Sequence, residues 1–214
     1  MKKSDRYDVS ELSETQFEPG SGGKVLRNLL GIQSTKKMDN VEAKALEIAT
    51  DELIRTIDAG HRFTAAEICK FHKAWLGNIY AWAGSYRRVN ISKDGFPFSA
   101  AARIPSLMKD FEKDVLRRNT PCNFRTRPEV VQALAETHVE LVLIHPFREG
   151  NGRVGRALST LMALQAGLPL LDFGVISGEK KEAYFAAVQA GLDKNYKPME
   201  QLFAEIIERS VAAS

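Results

Sequence analysis

The chain has 214 residues, 44% of them hydrophobic, and carries 30 Lys and Arg against 27 Asp and Glu, a formal net charge of +3 with a sequence pI near 8.8. That much apolar material can bury one substantial core, and a charge so mild and so scattered argues against nucleic acid or a membrane surface as a partner. Cys69 and Cys122 lack metal or CxxC spacing, and no basic start leads into a long apolar run, so the expectation is a cytoplasmic protein with two reduced thiols.

Residues 1–40 are polar and interrupted by Pro19, Gly20, Gly22 and Gly23, and they hold one short apolar piece, Val25 to Ile32. They read as an irregular arm preceding a domain over 41–214. The GSGGKV stretch lacks the spacing of a phosphate-binding P-loop and has no apolar strand before it. Val41, Ala45, Ile48, Leu53 and Ile57 recur at helical spacing, predicting a helix over 41–59 with Gly60 as its stop. Thr64 to Glu67 is a capping-box pattern that opens a second helix carrying Ile68, Phe71, Trp75 and Ile79. His61 and His72 read as surface or satisfied structural residues, and Trp75 and Trp82 as core.

Between Tyr80 and Ser99 the pattern changes. Arg88 to Ser92 alternates like a strand, Lys93-Asp94-Gly95 is a turn signal, and Phe96-Pro97-Phe98 can return, which predicts a small hairpin. Ala101 to Leu116 reads as a helix whose charged residues, Lys109, Asp110, Glu112, Lys113 and Asp114, form a solvated face. After a loop with Pro121 and Pro128, the apolar helix 130–144 leads to His145, and His138 on it reads as a packing residue.

Then comes HPFREGNGRVGR, His145 to Arg156. Pro146 and the two glycines interrupt regular structure between two apolar runs, so the polar residues fall in a tight loop and the first turn of the next helix. The first amides of a helix are unpaired and sit at the positive end of its dipole, and glycines let that end close around an anion. Arg153 and Arg156 are three apart and can share one polyanion. Glu149 would repel that anion unless a cation lay between them, which makes it a Mg²⁺ ligand. Asn151 offers a donor to phosphate or an oxygen to the metal, and His145 is the residue suited to accept a proton near neutral pH. Together these form a phosphoryl or nucleotidyl transfer set. Downstream, 156–166 continues the helix to Gly167, 179–191 forms another helix bearing Tyr184 and Phe185, and Pro198 opens a last one ending near Arg209.

The motif resembles the signature of the Fic (filamentation induced by cAMP) family, HxFx(D/E)GNGRxxR, at every specified position. PGSGGKVLRNLLGI and WAGSYRRVNISKDGFPF are similar to the opening and the flap region of short Fic proteins. The resemblance implies an all-α Fic-type helical bundle with a small β-hairpin flap over the active site, and transfer of AMP from ATP, with Mg²⁺, to a target-protein hydroxyl. It implies that His145 deprotonates the hydroxyl and that Glu149 holds Mg²⁺. Asn151 with the Gly150 and Gly152 backbone would bind the α and β phosphates, Arg153 and Arg156 the β and γ phosphates, and Phe147 would anchor the loop. It further implies that Tyr184 lies against the adenine and that Asn90, Ile91, Ser92 and Lys93 form the flap that docks the target.

Many family members block themselves with a helix reading Ser or Thr, three residues, Glu, then Gly or Asn. Here Ser10 to Glu14 is followed by Thr15, and Thr35 to Asp39 has the wrong acid. The chain therefore resembles the branch inhibited by a separate small antitoxin. Stand-alone relatives include modifiers of type II topoisomerases, which makes such subunits candidate targets. Other transfers by the same fold, of UMP, phosphocholine or phosphate, and a non-catalytic interaction module are the competing readings. Gly152 argues against the phosphate branch, where Lys replaces it.

Overall fold

The computed structural model describes residues 12–214. The helix α5 (Arg127–Ile144) is the axis of the bundle because most of its circumference is apolar. Val130, Leu134, Val139 and Ile144 are all buried, so neighbouring helices cover it except along the side of Gln132, Glu136 and Glu140, where Gln132 is exposed. Thr126 and Glu129 close a capping box at its start. The helices α6 (Asn151–Gln165), α8 (Lys197–Ala212), α3 (Ile104–Phe111) and α7 (Glu179–Ala190) surround it. Gly191, just past α7, permits the close approach on that side, since a Cβ there would lie 2.1 Å from Val139 Cγ1. None of the described helices is long and apolar enough to cross a membrane.

The first helix, α1 (Thr35–Thr56), begins earlier than the apolar spacing predicts, so residue 40 falls inside it. Ser34 caps it, accepting from Lys37 N at 3.4 Å, and its opening turns are polar apart from the buried Met38, which is why periodicity misses them. It stops at Thr56 because the chain turns at Asp58, whose Oδ1 accepts from Gly60 N at 2.8 Å. The second helix, α2 (Ala65–Leu76), has the expected capping box, and Trp75 and Trp82 are buried as expected.

Before α1, the arm folds back on itself. Phe17 bridges Leu26, Val25 and Ile32 enter the core, and Leu29 N donates to Ile79 O at 2.8 Å. The predicted hairpin exists but is shorter, β1 (Ser92–Lys93) against β2 (Phe96–Pro97), closed by Asp94 and Gly95 at φ 50° and 81°. Arg88 does not join the ladder because its amide donates instead to Glu14 Oε1 at 2.8 Å.

The helix expected over 101–116 is segmented. A 3₁₀ turn precedes α3, a π turn (Glu112–Leu116) follows it, and α4 (Arg117–Asn119) ends it. Glu112 is not part of a solvated face, since it caps α2 by accepting from Ala65 N at 2.7 Å.

His72 and His138 are both buried, with 0% and 1% exposure, which excludes a surface role for His72 and supports the packing role of His138. Burial pushes each imidazole down to about 4. In the unfolded chain they protonate near 6.5, so as pH falls from 6.5 to 4 the unfolded state gains protons that the folded state refuses. Unfolding midpoints in urea are therefore expected to fall steadily over that window, and the fall should be smaller in His138→Gln. A midpoint independent of pH there would contradict neutral burial.

Candidate active site

The site is built where α5 ends. An uninterrupted helix would pair the Val142 carbonyl with the amide of residue 146, but proline has no N–H. The His145 ring takes over, with Nδ1–H donating to Val142 O at 2.9 Å. That assigns the proton to Nδ1 and leaves Nε2 as the lone-pair nitrogen. His145 itself is left-handed, φ 52° and ψ 59°, and Phe98 from the hairpin stacks on its ring at 3.6 Å between centroids. Burial pushes the imidazole down to about 4; the positive charge of Arg87 adds to this and the Val142 hydrogen bond opposes it.

The other carbonyls at this helix end are satisfied one by one. Ser99 Oγ donates to Leu143 O at 3.2 Å. Arg87, only 2% exposed, donates from Nε to His145 O at 2.8 Å and from Nη2 to Ile144 O at 3.5 Å, while its backbone N–H donates to Pro146 O at 2.8 Å. The same guanidinium holds both stems of the hairpin, Val89 O and Ser99 O, each at 2.6 Å. A buried cation at a helix C-terminus is compensated by these carbonyl dipoles.

The loop between α5 and α6 rests on aromatic rings. Phe147 is fully buried, as expected of the anchor, and stacks on His72 at 3.9 Å. Gly84 N donates to His72 Nδ1 at 2.8 Å, so the ring's other nitrogen carries hydrogen and donates to Glu149 O at 3.1 Å. Gly150, φ 86°, has to be glycine because a Cβ would lie 2.6 Å from the Trp75 ring.

Asn151 is buried and its side chain is spent on the loop, accepting from Phe147 N and donating to Phe147 O, both at 2.8 Å. It therefore offers an anion its main-chain N–H and not its side-chain amide donor. Among the described residues no side chain caps α6, so its first-turn amides at Asn151 and Gly152 remain open to the cavity.

That cavity has a volume of about 760 Å³, within the range of small-molecule sites. The structure brings His145, Glu149, Gly150, Asn151, Gly152, Arg153, Arg156 and Tyr184 together around it, with Ile91, Ser92 and Lys93 on the hairpin side. Lys93 Nζ lies 4.2 Å over the Phe185 ring, bridging hairpin and α7 across the cavity. Asn90 is not among the lining residues; its Oδ1 accepts from Ala101 N at 2.9 Å and closes the hairpin's base.

Tyr184 donates its hydroxyl to His138 Nε2 at 2.8 Å, while His138 Nδ1 meets Ser159 Oγ at 3.2 Å. Because Ser159 Oγ donates to Gly155 O at 2.9 Å, it accepts from His138, and this order fixes every hydrogen in the chain.

The two arginines differ. Arg153 is paired with Glu42 and Glu149. Arg156 has no side-chain hydrogen bond or ion pair among the described residues, and burial lowers its pKa, the condition in which a guanidinium gains most from an incoming anion. Neither acid considered from the sequence reaches it: Asp39 is exposed, Glu14 holds Arg88, and Ser10 lies outside the described residues.

Three contributors escape sequence reasoning. Arg87 sits just before the Arg88 to Ser92 stretch that reads as a strand, and its place in the WAGSYRR piece was the available signal. Glu42 shares a buried face with Met38 and Ala49, so an acid on an apolar stripe was the available signal. Glu14 reaches the loop through its backbone, accepting from Arg148 Nε at 2.8 Å, and nothing in the sequence indicates that.

Residues 62–163 match the Fic/DOC family. Protein adenylyltransferase VbhT of Bartonella schoenbuchensis is 34% identical over 206 residues, spanning 96% of this chain and 40% of that protein. The chain thus spans well under half of that relative's length. The probable protein adenylyltransferase Fic of Escherichia coli is 26% identical, with 88% of this chain and 90% of that one covered. The N-terminal Fic domain of a putative cell filamentation protein from Bartonella quintana, a solved structure, superimposes with a TM-score of 0.72 at 25% identity, covering 90% of this chain and 91% of that one. The Bartonella tribocorum BepC structure, with bound AMPPNP, shares the fold at TM-score 0.71 and 22% identity, covering 92% and 97%.

Arg87→Lys keeps the charge but cannot reach the same carbonyls. It is expected to cost about 3 kcal/mol in denaturant unfolding, the worth of one or two charged hydrogen bonds, and to open the 88–99 hairpin to proteolysis and amide exchange. Unchanged exchange in the hairpin would show that Arg87 does not hold it.

Proposed function

The chain belongs to the Fic/DOC family, and from that premise we propose that it is a protein adenylyltransferase moving AMP from ATP to a Ser, Thr or Tyr hydroxyl of a target protein. The observation that carries the reading is a histidine lone pair held beside an open helix N-terminus and an unpaired arginine, since a base, an anion cradle and a counter-charge are what nucleotidyl transfer requires. Relatives named adenylyltransferases support the choice of donor.

In this reading His145 Nε2 takes the proton of the target hydroxyl as its oxygen bonds to the α-phosphorus. The bond from that phosphorus to the α–β bridging oxygen breaks, and pyrophosphate leaves. The α6 amides and Arg156 would hold the phosphates, and Tyr184 would line the nucleoside end. Ile91, Ser92 and Lys93 would dock an extended target segment through backbone hydrogen bonds, bringing its hydroxyl to His145.

Glu149 suits Mg²⁺. Its Oε1 accepts from Gly150 N at 2.9 Å, while Oε2 has no partner among the described residues, and Mg²⁺ in nucleotide sites takes one or two carboxylates with phosphate oxygens. When bound, the ion would offset charge on the phosphates.

A separate antitoxin would act at Arg156, left open by the acids among the described residues, and would make the protein the toxin of a cytoplasmic toxin-antitoxin pair. Type II topoisomerase subunits are the first targets to try.

Purified chain and its His145→Ala variant are to be incubated with cell lysate, Mg²⁺ and ATP labelled on either the α or the γ phosphate. Protein labelled from the α position only, falling about 10²- to 10⁴-fold in the variant, is the expected result. Label from the γ position would make the protein a kinase, and no label would favour a binding module.

With a base titrating near 4, kcat/KM should change by less than about twofold between pH 8 and 5.5. An ordinary histidine would lose about tenfold by pH 5.5, and such a loss would contradict the buried neutral base.

A further inference from the structure

One buried acid enters the site from α1, outside the residues that match the family. The Glu42 side chain is 5% exposed and both its oxygens are taken. Tyr80 Oη donates to Oε1 and Arg153 Nη1 to Oε2, each at 2.6 Å. Its carbonyl accepts from Trp75 Nε1 at 2.9 Å, and the Trp75 ring lies 4.6 Å beneath the Arg153 guanidinium. On its other edge, Arg153 Nη2 reaches Glu149 Oε1 at 3.3 Å.

A guanidinium held at both edges and on one face is poorly placed to swing onto a phosphate chain. Among the described residues Arg156 meets no such restraint. The geometry points to Glu42 as a positioning residue that makes Arg153 a strut for Glu149, so that the two motif arginines divide the work. Arg153 orients the carboxylate while Arg156 takes the phosphates. Glu42 also offsets the Arg153 charge, leaving Glu149 Oε2 turned outward and open instead of drawn into a closed pair with the arginine.

This division of labour rests on the proposed nucleotide reading, whereas the Glu42–Arg153–Glu149 strut does not, and the two are tested separately. In ¹⁵N-arginine-labelled protein, a locked Arg153 should give resolved Nη–H resonances, identified by their loss in Arg153→Lys. Glu42→Gln should collapse them into the averaged signal of a freely rotating guanidinium. Resolved signals surviving in Glu42→Gln would overturn the strut, whatever the protein's activity.

The division is read by titrating a non-hydrolysable ATP analogue with Mg²⁺. Arg156→Ala should weaken binding more than tenfold and Arg153→Ala less than threefold, and equal losses would overturn it.

In the transfer assay, Glu42→Gln should lower kcat about tenfold with KM for ATP within about threefold, and the loss should vanish in an Arg153→Ala background. A full further loss in that background would mean that Glu42 acts through the fold alone and would overturn the proposal. If Glu42→Gln does not fold, Arg153→Lys carries the same test. It keeps the charge at Glu42 but loses the arm to Glu149, so it should reproduce the kcat loss at unchanged KM; a wild-type kcat would overturn the proposal.

Discussion

The protein depends on how one buried helix end is closed. A helix C-terminus inside a core leaves carbonyls that must find donors, and each one missed would cost about 1–3 kcal/mol. At the end of α5 the side-chain donors come from different parts of the chain: the His145 ring, Ser99 from the hairpin and Arg87 from its other stem. Satisfying the helix thus assembles the site. The same hydrogen bonds fix the tautomer of His145, seat the hairpin and shape the loop, so stability and the proposed chemistry share one set of contacts.

Charge is arranged around that end with equal economy. Arg87 is buried among carbonyls, with Glu14 the carboxylate whose charge supports it, Arg153 is neutralised by Glu42, and Arg156 is left half-buried and unpaired among the described residues. Only the last of these has an electrostatic need that the described residues do not meet. An anion placed between Arg156 and the uncapped start of α6 would meet it, which is why the cavity suits a phosphate chain better than a neutral ligand.

Beneath the loop, Trp75, His72 and Phe147 form a rigid shelf, with His72 stacked at 3.9 Å on Phe147 and hydrogen-bonded through both nitrogens. A loop carried on packed rings can hold Gly150 in a left-handed conformation and aim the helix amides without induced movement. Arm and flap join the same shelf: Glu14 binds Arg88 in the hairpin stem and Arg148 in the loop, so residues that read as an irregular arm brace both.

By itself the sequence determined the helices with strong periodicity, the capping box at Thr64, the hairpin's Asp-Gly turn and the loop of the motif, because spacing, turn chemistry and Gly or Pro act over a few residues; the Thr126 box, ahead of the apolar run, emerged only with the structure. It also marked the motif residues that line the cavity. Only the tertiary structure decided what each of them is free to do. Asn151 is spent on its own loop, Asn90 on the hairpin base and Arg153 on two acids, while Arg156 is left open. Those outcomes depend on partners up to 111 positions away in the chain, as for Glu42 and Arg153. Local pattern carries no record of such distant pairs, since burial and hydrogen-bond satisfaction are settled only when the helices close on one another.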